Sequence, residues 1–248
     1  GAGAFLATLG VQAAYFSGAI LFGTGAVLAF SMPYVAPLYK SGPRSGYFAN
    51  LSEGLRHVRA DRIIIVTIII TVVLNTFGFP YQHMVPVIGA ETLKIGPLLI
   101  GALLASEGMG ATIGSLTIAL KARSSGYTRV YAAGSIGFLA AIFLFSLSPS
   151  FWMALPIMFI GGFAVSGFAT MQSIIVITST PMEIRGRVLG VLAAAIGTGP
   201  FGALIVGGLA LMWGANSAVT AMAAVGFALT TLTLLMWPSF LRSSPSPD

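Results

Sequence analysis

The sequence predicts an all-α fold, a polytopic bundle of transmembrane helices embedded in a lipid bilayer. Hydrophobic residues make up 56% of the 248 residues and charged residues only 7%, and the mean hydropathy is +0.95. A soluble domain carries about 25% charged residues, because much of its surface faces water. Apolar runs of about 20 residues, the length of a membrane-crossing helix, also recur along the chain. Most of the predicted surface therefore faces lipid.

Seven apolar segments are long enough to be predicted as membrane-spanning helices. They are residues 14–33, 63–86, 96–120, 130–147, 152–176, 188–212 and 219–237. A further apolar stretch, residues 1–10, is too short to cross a bilayer and is interpreted as the end of a truncated helix. We therefore expect the chain to be a fragment of a longer protein.

A polar linker, residues 38–62, separates the first complete predicted span from the other six. Within it, residues 50–59 predict a short helix at the membrane surface, with an apolar stripe beside basic residues. Asn50 is predicted to cap this helix, and Glu53, three residues later, to complete a capping box. These boundaries divide the chain into residues 1–37, the linker, residues 63–241 and a polar tail, residues 242–248.

The basic residues alternate between loops in the way that a membrane topology requires. Eleven of the 12 Lys and Arg residues fall in the linker, at residues 121–129, at residues 185–187 or in the tail, whereas Lys94 lies in a loop on the opposite side. Cytoplasmic loops carry an excess of Lys and Arg, so the first set is predicted to be cytoplasmic. This placement accounts for the net charge of +6 without a nucleic-acid partner.

Several short motifs, in their order along the chain, resemble the major facilitator superfamily. They are residues 51–61 (LSEGLRHVRAD), 77–81 (FGFPY), 85–87 (VPV), 181–188 (PMEIRGRV) and 197–202 (GTGPFG). The resemblance covers nearly the whole chain and is greatest to the branch of enterobactin-exporter-like and macrolide-efflux-like permeases.

This resemblance implies a C-terminal six-helix bundle, residues 63–241, preceded by the end of the N-terminal bundle, residues 1–37. The missing N-terminal helices 1–5 of the same transporter would be its partner. The implied function is secondary active transport, as proton-coupled efflux of an amphipathic small molecule (a drug or a siderophore) across a bacterial inner membrane. The loop at residues 121–129 departs from the family pattern, because it keeps only basic residues and a glycine.

Glu107 is the ionisable residue predicted to lie deep within a span. A charged side chain at a helix centre costs about 2.5–3.5 kcal/mol on insertion scales, so such residues usually face a cavity and serve a function. Glu107 is therefore predicted to couple protons or to bind a cationic substrate. The alternative is a structural Glu that is protonated or hydrogen-bonded within the bundle.

Two amides within spans, Asn75 and Gln172, are further candidates for the transport site. Amides of this kind also bridge neighbouring helices, and that structural role remains open for both residues. Gln82 and His83 lie toward the outer end of their span. They are predicted either to line an outward vestibule or simply to sit at the membrane interface.

The loop before the span at residues 188–212 carries three charged residues, Glu183, Arg185 and Arg187. They form a predicted cytoplasmic gate, or else anchor the helix end at the membrane surface. Residues 180–183 are predicted to begin that helix, with a capping Thr and a Pro in the first turn. Further along, Gly199 and Pro200 are predicted to kink the span.

The composition argues against several other classes of protein. The chain contains no Cys and two His, which disfavours disulfides, a metal centre and cysteine chemistry. The sequence lacks the motifs of hydrolytic or nucleotide-dependent catalysis, so we expect neither an enzyme nor a cofactor. The alternative to transport is a non-transporting membrane module, or an orphan half that binds a partner.

Overall fold

A computed structural model describes residues 11–31, 47–121 and 126–242, and within them the chain is all-α, as the sequence predicts. Short π and 3₁₀ segments interrupt or follow the α-helices. The α-helices are α1 (Val11–Ser31), α2 (Tyr47–Ala60), α3 (Arg62–Val73), α4 (Val85–Glu91), α5 (Pro97–Lys121), α6 (Tyr127–Ser146), α7 (Phe151–Thr178), α8 (Arg185–Ile196), α9 (Gly199–Trp213) and α10 (Ala215–Met236).

Six segments of the described chain are long and apolar enough to cross a bilayer. They are Arg62–His83, Pro97–Lys121, Tyr127–Ser146, Phe151–Thr178, Arg185–Trp213 and Ala215–Met236. This confirms the predicted polytopic membrane fold. The predicted span at residues 14–33 overlaps α1, which is apolar and bears exposed side chains such as Phe22 and Phe30. The predicted partial helix at residues 1–10 and most of the tail lie outside the described residues.

The first of these spans is not a continuous α-helix. Asp61 caps α3, because its carboxylate accepts hydrogen bonds from the backbone N–H groups of Ile63 (2.7 Å) and Ile64 (3.1 Å). After Val73 the chain passes through a π segment, Leu74–Gly78, and a 3₁₀ segment, Phe79–His83. Pro80 has no N–H to donate to the carbonyl of Thr76, so the α-helical ladder cannot continue there. The span predicted over residues 63–86 is present as Arg62–His83, but its second half is not α-helical.

Helix α7 packs between α5 and α6, and glycines make both contacts close. Gly110 of α5 lies against the carbonyl of Phe159 in α7, where a Cβ atom would overlap it. On the other face of α7, a Cβ on Gly134 of α6 would lie 2.6 Å from the carbonyl oxygen of Ala164. Small residues of this kind let membrane helices approach at backbone distance, where dispersion contacts stabilise them.

Helix α2 packs on α8 at the end of the bundle where the chain enters α3. A Cβ on Gly54 would lie 2.7 Å from the carbonyl oxygen of Arg187, so the two backbones are in contact. Val58 is buried against Val188 and Val191 of α8. The face of α2 that carries Gly54 and Val58 therefore packs against α8.

Two predictions about helix starts were wrong. Asn50 lies inside α2, which begins at Tyr47, so it is not the N-cap, and Glu53 forms an ion pair with Arg187. Residues 181–184 form a turn, and the next helix begins only at Arg185. The Thr180 hydroxyl is buried without a hydrogen-bond partner and therefore caps nothing.

Candidate transport site

Glu107 lies near the middle of α5. Its carboxyl forms a cluster with two side chains from the end of the first span, Tyr81 and Gln82. The Tyr81 hydroxyl lies beside the Glu107 carboxyl. The Gln82 side chain lies next to both of these groups. Glu107 is 9% exposed and Tyr81 is 3% exposed, whereas Gln82 is exposed. The cluster therefore reaches from the protein interior to its surface.

Aromatic packing holds Tyr81 in position for this contact. Its ring meets Phe138 edge-on, with 5.9 Å between centroids and 76° between the ring planes. A second edge-on contact, to Phe145, has a centroid separation of 6.2 Å. Both partners belong to α6 and are buried. These ring contacts pack the tyrosine on α6 and place its hydroxyl beside Glu107 of α5.

The position of Glu107 is set by the contact between α5 and α7. Gly162 of α7 lies against the backbone carbonyl of Glu107, and a Cβ there would overlap it. The neighbouring residue, Ser106, donates its hydroxyl to the carbonyl of Leu155 in α7 (2.9 Å). These two contacts resist rotation of α5 about its axis. The carboxyl is therefore held toward Tyr81 instead of being free to turn toward lipid.

This arrangement suits a carboxyl that gains and loses a proton or a cation. The Tyr81 hydroxyl and the Gln82 amide can stabilise an ionised carboxylate, since hydrogen bonds to charged groups are among the stronger ones. Neither partner carries a formal charge that would hold the carboxylate permanently ionised. A buried acid with neutral partners and a path to the surface can therefore exchange its charge with solvent or substrate.

Asn75 and Gln172 belong to a separate polar network inside the bundle. Gln172 of α7 donates its amide to the Thr71 hydroxyl (2.7 Å), and Asn75 donates to the Thr71 carbonyl (2.9 Å). The hydroxyl of Tyr131 in α6 donates to the carbonyl of Thr67 (2.9 Å). These bonds join α3, α6 and α7. The Gln172 bond joins two helices, which is the bridging alternative for that amide, whereas the Asn75 bond stays within its own span.

The two residues predicted to line an outer vestibule, Gln82 and His83, have different surroundings. Gln82 belongs to the cluster around Glu107, and His83 is exposed beside it. The sequence prediction did not include Tyr81 as a site residue. The sequence did contain a signal for Tyr81, since it is a hydroxyl-bearing residue in an apolar span, directly before Gln82. A buried tyrosine O–H usually finds a hydrogen-bond partner, so a polar neighbour could have been expected.

The three charged residues of the predicted gate have different partners. Arg187 forms an ion pair with Glu53 of α2, across the contact between α2 and α8. Arg185 donates a hydrogen bond to the Thr180 carbonyl (3.3 Å), within its own turn. Glu183 is exposed. The structure thus links one member of the set, Arg187, to the linker helix.

The fifth span is interrupted where Gly199 and Pro200 were predicted to kink it. Helix α8 ends at Ile196 and α9 begins at Gly199, with Pro200 in the first turn. Gly202 of α9 packs against the carbonyl of Thr76 in the π segment. The irregular parts of two spans therefore lie against each other. In the described part of the chain, no group of three or more acidic or His side chains could hold a metal ion.

A bundle of apolar helices, with two irregular spans in contact and a buried acid beside them, defines a polytopic membrane protein of the permease type. The family model for transmembrane secretion effectors matches residues 2–244. The chain therefore belongs to that family of major facilitator superfamily permeases.

Curated relatives include enterobactin exporters named EntS. Those of Shigella flexneri, Escherichia coli O139:H28 (strain E24377A / ETEC) and Escherichia coli O9:H4 (strain HS) are each 29% identical to the chain over 148 residues. The aligned region covers 59% of this chain and 35% of each relative. The chain thus matches about a third of the length of these exporters. No solved structure is significantly similar to it.

Proposed function

We propose that the chain forms the C-terminal bundle of a secondary active exporter in which Glu107 carries the coupling proton. The observation that supports this most directly is that Glu107 is buried with the side chains of Tyr81 and Gln82 beside its carboxyl. Keeping a carboxyl inside a membrane protein is costly, and such residues usually take part in transport. The similarity to enterobactin exporters supports outward transport of an amphipathic small molecule such as a siderophore or a drug.

In this proposal the two interrupted spans are the parts of the bundle that move during transport. Pro80 and Pro200 each remove a backbone donor, so neither span keeps a complete helical ladder. Gly202 lets the two broken regions touch at backbone distance. Broken helices near the middle of a membrane are the usual site of binding and gating in transporters. Because Tyr81 and Gln82 lie in the 3₁₀ segment that follows the π segment, movement there would change their contact with Glu107.

A full transporter would place substrate between this bundle and an N-terminal bundle supplied by helices 1–5 and the segment that includes α1. The ion pair between Arg187 and Glu53 joins α8 to the linker helix and would act as the inner gate of the cycle. A partly exposed pair of this kind contributes only about 1 kcal/mol. A contact so weak can break and re-form during each cycle. A bacterial inner membrane, with its proton gradient, is the setting in which this mechanism would operate.

The test is export by the complete transporter after substitution Glu107→Gln. The amide keeps the shape of the side chain but cannot bind and release a proton, so pH-driven export should be abolished while membrane expression is unchanged. Glu91→Gln is the matched control, since Glu91 is exposed at the end of α4 and should tolerate the same change. Normal export by Glu107→Gln would remove this residue from the coupling mechanism.

A further inference from the structure

A groove of about 380 Å³ runs between α5, α6 and α7, away from the cluster around Glu107. Its lining residues are mainly apolar, with a lysine at one end. Representative members are Thr117, Lys121, Val130, Ala133, Phe163 and Ala164. Ala133 and Phe163 are exposed on the surface of the bundle, and both belong to segments long and apolar enough to cross a bilayer.

The groove exists because small residues occupy the positions where the three helices meet. Gly114 lies against Ser166, and Gly167 is close enough to α6 that a Cβ would be 2.9 Å from the Val130 carbonyl oxygen. These contacts bring the backbones together, and the missing side chains leave space above them. The aromatic ring of Phe163 forms part of the wall. The cleft is therefore part of the helix packing and is present without a ligand.

Lys121 places a positive charge at one end of the groove. It is the last residue of α5 and is exposed, so its apolar stem can follow the groove while its ammonium group reaches the lipid headgroups. It lies at the end of the bundle that carries nearly all the basic residues, which the charge distribution predicts to be cytoplasmic. That leaflet is rich in anionic lipids, and basic pockets between helices bind their headgroups.

We propose that this groove binds an anionic phospholipid of the cytoplasmic leaflet. An acyl chain lies along the apolar surface formed by Ala133 and Phe163, and the phosphate pairs with Lys121. The combination of a long apolar cleft with one cation at the depth of the headgroups matches the chemistry of such a lipid. The site is independent of Glu107, so it does not rest on the proposed transport mechanism.

The test is native mass spectrometry of the complete protein with phosphatidylglycerol or phosphatidylcholine added at matched concentrations. Phosphatidylglycerol should remain bound to the wild-type protein more strongly than phosphatidylcholine. Lys121→Gln should weaken phosphatidylglycerol binding by about fivefold, the effect of one basic residue at an anionic surface. The control Arg62→Gln removes an exposed basic residue that does not line the groove and should change binding by less than twofold.

A second variant tests the acyl-chain part of the site. Ala133→Phe places a bulky ring in the groove from an exposed position, so the fold should be preserved while the retained phosphatidylglycerol is lost. Equal lipid retention by the wild-type protein, Lys121→Gln and Ala133→Phe would overturn the proposal. A photo-crosslinker at position 133 gives a separate check. Attachment to phospholipid supports the site, and attachment to another protein segment would show that protein, not lipid, fills the groove.

Discussion

At the scale of single residues, the chemistry of the bundle is concentrated in two groups of polar side chains with different surroundings. The Glu107 cluster reaches the surface through Gln82, whereas the Thr71 network is enclosed by three helices. In the proposed mechanism a proton enters the first group from outside. The second group satisfies its polar atoms internally, as buried polar groups in a membrane must. We therefore expect substitutions in the first to alter transport and substitutions in the second to alter stability.

Tyr81→Phe is predicted to slow export without loss of folded protein. The change removes the hydroxyl that lies beside the Glu107 carboxyl and can donate to it, but keeps the ring that packs on Phe138. A hydrogen bond to a charged group contributes about 1.5 kcal/mol at the lower end of its range, so export should fall roughly tenfold. Tyr127→Phe, at the start of α6, is the control. If Tyr81→Phe exports at the wild-type rate, the Tyr81 hydroxyl does not contribute to the function of Glu107.

Thr71→Val is predicted to destabilise the bundle. The Thr71 hydroxyl accepts the amide of Gln172, and its loss leaves a buried donor unpaired at a cost of about 1–3 kcal/mol. The melting temperature in detergent should fall on the order of 5 °C, while export per folded molecule stays close to that of the wild type. Thr112→Val, which removes an exposed hydroxyl bonded within its own helix, should leave the melting temperature unchanged.

At the scale of helices, glycine positions determine how closely the spans approach. In α5, Gly108 and Gly110 are two residues apart but face different surroundings. Gly110 lies on the carbonyl of Phe159, whereas nothing lies within 4 Å of a Cβ added to Gly108. The pair therefore separates the effect of helix contact from the general effect of glycine in a helix.

Gly110→Ala is predicted to lower the stability of the bundle, because the new methyl group forces α5 away from α7. Overpacking of this kind costs about 1–3 kcal/mol, and it would also displace Glu107. Gly108→Ala should be neutral or stabilising, by up to about 1 kcal/mol, because alanine favours the helix. Thermal unfolding of the two variants in the same detergent is the measurement. Equal melting temperatures would contradict the assigned contact between α5 and α7.

At the scale of the whole molecule, side-chain contacts tie together the loops at each end of the bundle. At one end, Arg129 donates to the carbonyl of Leu241 (2.8 Å), and Arg187 pairs with Glu53. At the other end, Asn216 donates to the carbonyl of Ser146 (2.8 Å). The first end carries most of the basic residues, so the positive-inside rule orients it toward the cytoplasm.

Single-cysteine labelling can measure this orientation directly, because the chain has no native cysteine. Ser150→Cys, in the loop before α7, is predicted to react with an impermeant maleimide added outside intact cells. Gly186→Cys, at the start of α8 with open space around its Cβ, should react only after the membrane is permeabilised. The opposite labelling pattern would invert the topology and would also move the proposed lipid site to the outer leaflet.

Much of this architecture could be predicted from local composition. The described spans Pro97–Lys121 and Ala215–Met236 agree with the predicted ones to within a few residues, because an apolar run of sufficient length has no stable alternative to a helix in lipid. The details that were wrong depend on weaker local signals. Asn50 matched a capping pattern, but the helix begins three residues earlier, at Tyr47, and continues through Asn50.

The sequence by itself determined the membrane class, the order of the spans, the grouping of basic loops and the isolation of one carboxylic acid, Glu107, within a span. Each of these follows from composition within a single segment. Only the tertiary structure decided that Tyr81 and Gln82 meet Glu107, that Thr71 joins three helices and that the interrupted spans touch at Gly202. Such contacts join residues that are distant along the chain. They depend on how closely whole helices pack, which no local pattern of residues specifies.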